Sequence, residues 1–246
     1  TALQLQTTTG VTVKNAADST NAFQVQNAAG NGILKIDSTN RKIIAGDVVA
    51  PIINNFSISD SYTTTPSGSL LGSASYVSGQ YVQLVSSSSQ AGEVEYNPAL
   101  ESNFDATFQF NMTTSGSGVF LYAFNNTSPG FPGGATGGYQ ISYDSWDGQI
   151  KLFYNATQLT SVAASVTDST WHDARVVMNG TNIKVYLDSI LKIDFNDSAR
   201  ILNGTKFGLS GFSNAVGGAK RVKNFVLNWT TTTPGTNPVL HGPRPD

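Results

Sequence analysis

The chain contains the glycine-rich stretch Gly204-Thr205-Lys206-Phe207-Gly208-Leu209-Ser210-Gly211-Phe212-Ser213-Asn214-Ala215-Val216-Gly217-Gly218, followed by Val222-Lys223-Asn224-Phe225-Val226-Leu227-Asn228-Trp229. This pattern predicts a strand that enters a loop with almost no charge, and a second strand of alternating apolar residues that leaves it. Such a loop presents bare backbone amides beside an apolar sheet surface, and both can contact a sugar. Because Gly and Asn also mark ordinary turns, the stretch gains its meaning from the rest of the chain, where it indicates a binding module rather than an enzyme.

Length and charge limit the possible partners. The 246 residues suffice for one large all-β domain and a small appendage. Charged residues make up 12% of the chain and the formal net charge is −2, so no basic field favours nucleic acid or an anionic membrane. No apolar run approaches the roughly 18–20 residues that span a bilayer. We therefore expect no nucleic-acid partner and no membrane insertion.

The polar composition and the absence of cysteine indicate where the protein acts. Ser, Thr, Asn, Gly and Gln dominate the polar positions, which is common in proteins that contact glycans outside cells. There are no cysteines, hence no disulfide framework and no thiolate metal site. A eukaryotic secreted domain more often carries a disulfide, whereas a bacterial surface protein or a phage fibre often carries none. We expect an extracellular location, at a cell surface or on a virion.

Residues 1–52 form a segment distinct from the rest. Short apolar groups alternate with turn clusters, which predicts four short strands, the first near Val11 and Val13. The turn sequence Asp18-Ser19-Thr20-Asn21 returns as Asp37-Ser38-Thr39-Asn40. So few large apolar residues cannot bury a core alone. The segment resembles the repeats that precede head domains in phage tail fibres and some bacterial surface proteins, which implies a stem that joins chains into trimers. The alternative is a loose N-terminal extension.

Residues 53–230 have the patterns of longer strands. Residues 104–110 alternate strictly, and residues 119–124 are apolar enough for a strand buried on both faces. Asp147-Gly148 and Asn179-Gly180 are strong hairpin signals between apolar runs. Without any sustained helical period, the pattern predicts an all-β sandwich of two antiparallel sheets. Residues 231–246, rich in Thr and Pro, are predicted to be a linker or tail.

The order of features between Phe56 and Trp229 resembles the legume-type lectins of the concanavalin A-like lectin and glucanase superfamily, whose fold is a jelly roll. Gly116-Ser117-Gly118-Val119-Phe120-Leu121 resembles the family's Ala-Asp-Gly segment, and Gly133-Gly134-Ala135-Thr136-Gly137-Gly138 with residues 139–144 resembles its glycine loop and acid-ending strand. The stretch from Phe207 to Trp229 resembles its last loop and closing strand. The resemblance covers about 175 residues and rests on their order rather than on one motif.

The resemblance implies a site at one end of the curved sheet, where the loops after Gly116, Gly130 and Phe212 should meet. It places a carbohydrate on Ser117, Gly134, Asn214 and Gly217. Serine at the position of the family's aspartate lacks a charge-assisted hydrogen bond. The resemblance also places metal ligands at Asp144 and Asp147, although the family's other ligands are missing. Two carboxylates and carbonyl oxygens would hold calcium.

Two aromatic residues are candidate sugar platforms, because an aromatic ring can pack on a pyranose face. Trp146 lies in the turn after Asp144, where the alternative is an indole folded back onto the sandwich. Phe131 lies in Pro129-Gly130-Phe131-Pro132-Gly133-Gly134, which leads into the glycine loop. Trp171, at a strand entry, is predicted to be a core residue, and His172 beside it a structural histidine.

Catalysis has little support in the sequence. The related glucanases use a Glu-x-Asp-x-Glu strand, and the nearest approach here, Glu93-Val94-Glu95, lies in a different strand and lacks the third acid. We therefore predict a non-catalytic carbohydrate-binding head domain, an adhesin or receptor-binding module. The alternative is a structural protein that uses the same fold for assembly only.

Overall fold

The structure of the chain, a computed structural model, describes residues 16–26, 28, 32–45, 52–113, 116, 118–124, 138–200, 203–215, 217–233 and 239–241. These residues form strands, turns and loops, without a helix. Accordingly, the described residues contain no helix long and apolar enough to cross a membrane. The chain divides into two units, one of residues 1–53 with 232–246, and one of residues 54–231.

The first unit is built on a four-stranded antiparallel sheet. Its strands, in the order in which they pair, are β1 (Phe23–Gln26), β2 (Gly32–Asp37), β3 (Lys42–Ala45) and β21 (Val239–His241). The strand expected near Val11 and Val13 lies outside the described residues. Residues 239–241, predicted to belong to a linker or tail, instead pair with β3, because the free edge of that strand offers backbone hydrogen bonds to any extended segment.

The second unit contains two large antiparallel sheets. The first has eight strands: β4 (Ile52–Asp60), β6 (Ser75–Val77), β7 (Tyr81–Val85), β10 (Asn103–Met112), β15 (Trp171–Asn179), β16 (Asn182–Leu187), β17 (Ile190–Asn196) and β20 (Lys220–Thr233). Their spatial order is β17-β16-β15-β10-β20-β7-β6, and β4 pairs with β20. The turn after Asn179 has Gly180 at φ 60°, as the Asn-Gly signal predicted.

The second sheet has seven strands: β5 (Ser69–Gly72), β8 (Gln90–Tyr96), β11 (Gly118–Ala123), β12 (Tyr139–Asp144), β13 (Gln149–Tyr154), β14 (Thr157–Ala163) and β19 (Phe207–Ser213). Their spatial order is β14-β13-β12-β11-β19-β8-β5. A short pair, β9 (Leu100–Glu101) and β18 (Asn203–Gly204), lies apart from both sheets. Every residue of β11 and β12 is buried, as the apolar run at 119–124 predicted for β11.

The two sheets enclose one apolar core. Alternate residues of β10 point into it, among them Phe104, Phe108 and Phe110. From the other sheet, Leu121 and Tyr143 meet them, and Tyr143 packs edge-on against Phe108 with ring centroids 5.8 Å apart. The predicted all-β jelly-roll sandwich is therefore confirmed: strict alternation in β10 reflects one buried face, and the central strands of the second sheet are buried on both.

Candidate functional site

Two loops, here called the glycine-rich loops, meet at one end of the seven-stranded sheet. One precedes β11 and contains Gly116, and the other follows β19 and contains Asn214 and Gly217. The backbone N–H of Asn214 donates to the carbonyl oxygen of Gly116 over 3.3 Å, and the N–H of Gly217 donates to that of Asn214 over 3.2 Å. Gly116 has a φ of 111°, and a β-carbon there would lie 2.7 Å from Oδ1 of Asn214. Glycine is required at this contact, since both the conformation and the space exclude a side chain.

The same end carries the strand that leads to Asp144. Gly118, the first residue of β11, pairs with Asp144 of β12. A β-carbon on Gly118 would collide with the carbonyl oxygen of Tyr143. The pairing therefore brings the end of β12 beside the loop that contains Gly116. Three of the predicted carbohydrate-binding residues lie outside the described residues: Ser117, Phe131 and Gly134.

Trp146 stands at the tip of the β12–β13 hairpin. Its backbone N–H donates to Oδ1 of Asp144 over 2.8 Å, an Asx-turn that stabilises the tight connection. Gly148 then adopts φ 65° and the chain returns along β13. The side chain of Trp146 is 66% exposed, so the indole does not fold back onto the sandwich. The hairpin follows Asp144, the residue paired with Gly118, so the exposed indole is carried at the same end of the sheet as the two glycine-rich loops.

Asp144 and Asp147, the predicted metal ligands, share one lysine. Nζ of Lys151 lies 2.9 Å from Oδ2 of Asp144 and 2.5 Å from Oδ2 of Asp147. Asp144 is buried, whereas Asp147 is partly exposed. Burial alone would lower the pKa of Lys151, but its hydrogen bonds to Asp147 and Asp144 outweigh this and raise it. The ammonium group is thus a firmly held cation between the two carboxylates.

These residues do not fit a calcium ion. Calcium takes 6–8 oxygen ligands at about 2.3–2.6 Å, yet the described residues include no group of three or more His, Cys, Asp or Glu side chains able to hold a metal. The two carboxylates that the resemblance implied are already bonded to Lys151, and the second oxygen of Asp144 accepts the Trp146 N–H. A divalent cation would have to displace an ammonium group from both.

Trp171 is not a core residue, contrary to the sequence prediction. It pairs with Asn111 and therefore lies on the outer face of the eight-stranded sheet, where Nζ of Lys223 sits 4.1 Å from the centre of its ring. His172 points inward, with a ring centroid 5.4 Å from that of Phe110. The prediction for Trp171 was wrong because neighbouring residues of a strand face opposite sides of the sheet, so Trp171 faces outward where His172 faces inward.

The histidine has the structural role that the sequence predicted. Nδ1 of His172 lies 2.8 Å from Oδ2 of Asp188, and Nε2 lies 3.2 Å from Oδ1 of Asp168. Asp188 is in the tight β16–β17 turn, at φ 50°. The imidazole therefore ties two turns to the start of β15.

Sequence reasoning missed a row of buried polar residues on the face of the seven-stranded sheet that is turned away from the core. Nζ of Lys206 lies 2.7 Å from Oε2 of Glu95. Burial, followed by the charges of Glu93 and Glu95, raises the pKa of the nearby Tyr122 phenol. The sequence signal that could have revealed this row is the alternation of polar residues with the apolar core residues along β8, β12 and β19. The buried members of the row are Glu93, Glu95, Gln140, Ser142, Asp144 and Ser210.

Solved structures with a similar fold include the exoplasmic/lumenal domain of VIP36 and the carbohydrate recognition domains of Emp46p and Emp47p. The exoplasmic/lumenal domain of VIP36 in its Ca²⁺-bound form matches with a TM-score of 0.59 and 19% identity, over 74% of this chain and 96% of that domain. The same domain bound to Ca²⁺ and Man3GlcNAc also has a TM-score of 0.59 and 19% identity, over 73% of this chain and 90% of that one.

The carbohydrate recognition domain of Emp47p matches with a TM-score of 0.58 and 15% identity, over 71% of this chain and 94% of that domain. The potassium-bound form of the Emp46p domain matches with a TM-score of 0.54 and 11% identity, over 65% of this chain and 87% of that one. At these identities the likeness shows the fold alone. No protein-family model matches the chain. No curated protein sequence matches it either.

Proposed function

We propose that the unit of residues 54–231 is a non-catalytic carbohydrate-binding domain, with its site at the end of the seven-stranded sheet where the two glycine-rich loops meet. The observation that carries the proposal is the indole of Trp146, 66% exposed on a tight hairpin at the same end of the sheet as those loops. An aromatic ring packs well against the apolar face of a pyranose. The VIP36 domain, which has the same fold, has been solved with Man3GlcNAc and with mannose.

In this proposal Trp146 is the platform, and Asn214 and Gly217 supply polar groups from the adjoining loop. Ser117, Phe131 and Gly134 are the further candidates from sequence. Individual hydrogen bonds to sugar hydroxyls contribute about 0.5–1.5 kcal/mol each, so the stacked ring should outweigh any one of them. Mannose-containing oligosaccharides are the first ligands to test. Calcium is not part of the proposal, because Lys151 is bonded to both carboxylates.

The test is a glycan array with the full chain, followed by titration of the best saccharide against Trp146→Ala. We expect the substitution to weaken binding about tenfold, roughly 1.4 kcal/mol, because it removes the platform. The melting temperature should stay nearly unchanged, since the ring is mostly exposed. Trp146→Phe, which retains an aromatic face, should keep part of the affinity.

A matched control is Ile190→Ala, which removes a side chain that is 60% exposed at a hairpin of the other sheet. It should leave both affinity and melting temperature unchanged. Absence of binding to any saccharide at millimolar concentration would argue for the rival function, a structural domain that uses this fold for assembly. The two functions differ in what covers Trp146: a binding domain leaves the indole open to solvent in the assembled protein, whereas a structural domain buries it against a neighbouring chain.

The first unit is proposed to be a stem that joins three chains. On its strands β1 to β3, several described apolar side chains are exposed: Phe23, Val25, Ile33 and Ile43, at 36%, 40%, 54% and 41%. A sheet with so many exposed apolar side chains gains stability when a second surface covers them. Together with the low charge and the absence of cysteine, this supports a fibre-like surface protein, bacterial or phage, that acts outside cells or on a virion.

A further inference from the structure

The β12–β13 hairpin forces Lys151 into contact with Asp144. Ser142 pairs with Lys151 and Asp144 pairs with Gln149, so all four side chains share one face of the sheet. Lys151 and Asp144 are diagonal neighbours across the two strands, a distance that a long side chain spans. Asp147, in the turn, contacts the same ammonium group. The contact follows from the strand register rather than from a chance conformation.

The environment of the pair makes a cation necessary. The side chain of Asp144 is only 6% exposed and that of Lys151 is 14% exposed. A buried carboxylate without a counter-charge is strongly unfavourable, and Asp144 also organises the turn through its bond to the Trp146 N–H. Some positive charge must therefore stand beside Asp144 for the hairpin to keep this shape.

The solved relatives show that the fold accepts different ions. The VIP36 domain has been solved in Ca²⁺-bound and metal-free forms, and the Emp46p domain in a potassium-bound form. In this chain the hairpin carries its own cation on β13. Nζ of Lys151 lies 2.9 Å from Oδ2 of Asp144. A calcium ion bound to the same oxygen would lie within about 5.5 Å of this ammonium group, and the two positive charges would repel each other in this partly buried site.

We infer that the Lys151 ammonium takes the place of a metal ion in this domain and holds the hairpin that presents Trp146. The domain then folds and keeps its loop end in order without calcium. The Lys151 ammonium would hold the hairpin whether or not a saccharide binds. Calcium binding by the chain and absence of saccharide binding are therefore separate results, and each tests only one of the two proposals.

The first experiment measures calcium binding by the full chain. Isothermal titration with CaCl₂ should show no binding, and the melting temperature should be the same in millimolar EDTA and in millimolar CaCl₂. A binding isotherm with about one calcium ion per chain, or a clear rise in melting temperature with calcium, would overturn the inference.

The second experiment removes the internal cation. Lys151→Gln should lower the melting temperature by about 5 °C or more, because it leaves a buried carboxylate uncompensated. The double variant Asp144→Asn with Lys151→Gln should recover much of that loss, since neither charge is then unpaired. The double variant also keeps the test decisive if the single variant does not fold.

A surface pair provides the control. Lys184→Gln breaks the exposed pair between Lys184 and Asp194, whose charged atoms are 3.3 Å apart, and should shift the melting temperature by about 1 °C at most. If Lys151→Gln behaves like Lys184→Gln, or if the double variant is no more stable than Lys151→Gln, Lys151 is not the cation that holds the hairpin and the inference fails.

Discussion

Replacing Lys220 by methionine should stabilise the protein at neutral pH. Lys220 begins β20, is 0% exposed, and is paired with Met112 of β10 and Val85 of β7. Its Nζ donates to the carbonyl oxygen of Gly218 over 3.3 Å. Burial lowers the pKa of this ammonium group from 10.5 to about 8. The folded protein therefore holds the proton less tightly than the unfolded chain does.

The size of the effect follows from linkage. A shift from 10.5 to about 8, at about 1.4 kcal/mol per pKa unit, lowers the free energy of unfolding at pH 7 by about 3 kcal/mol. Between those two pKa values the unfolded state binds more protons, so stability rises with pH. At about pH 9.5, only about 1.4 kcal/mol of this cost remains. Loss of the hydrogen bond to Gly218 offsets about 1 kcal/mol of the gain at either pH.

Urea unfolding of the two proteins at neutral pH and near pH 9.5 measures this directly. We expect the advantage of Lys220→Met over the unaltered chain to fall by about 2 kcal/mol between the two conditions. Lys184→Met makes the same change at an exposed position and should show no such dependence. If the advantage of Lys220→Met does not change with pH, burial does not control the charge of Lys220 and the reasoning is wrong.

Two other predictions concern the core and the stem. Burial raises the pKa of five of the nine tyrosines above the value of 10.0 that a phenol has in the unfolded chain. The free energy of unfolding should therefore fall above about pH 10, and these five tyrosines should ionise only as the protein unfolds. A gradual rise of tyrosinate absorbance without loss of circular dichroism would contradict this expectation. The five are Tyr62, Tyr96, Tyr122, Tyr139 and Tyr143. Light scattering should find the full chain trimeric and the 54–231 fragment monomeric, because the stem's exposed apolar side chains need a partner surface; a monomeric full chain would exclude the stem.

Local signals in the sequence were sufficient for most strands. Asp147-Gly148 and Asn179-Gly180 gave correct turns because the backbone conformation they favour is set within two residues. The strict alternation of residues 104–110 gave β10, since one face of that strand is buried. The edge strand β14 was not foreseen, because its residues are mostly polar and only its pairing with β13 defines it.

Other features depend on pairings that are distant in the chain. The face of Trp171 is fixed by its register with Asn111 of β10, which a strand entry alone does not reveal. The pairing of β21 with β3 joins segments about 200 residues apart. For the site, the meeting of Gly116 with Asn214 was foreseen only through the family's order of features. The contact between Lys151 and Asp144 could have been predicted from the sequence, because a hairpin with Asp147-Gly148 at its turn places residue 151 diagonally across from residue 144.

Asp144 connects the internal cation to the proposed platform. One of its oxygens accepts from Lys151 and the other from the backbone of Trp146, so the ammonium group fixes the turn from which the indole projects. A platform held in place before binding loses less conformational entropy when a ligand arrives. The indole itself contributes little to this order, since it is mostly exposed. Affinity at this end should therefore depend on Lys151 through the geometry of the hairpin, whereas the stability of the hairpin should be nearly independent of the ring it carries.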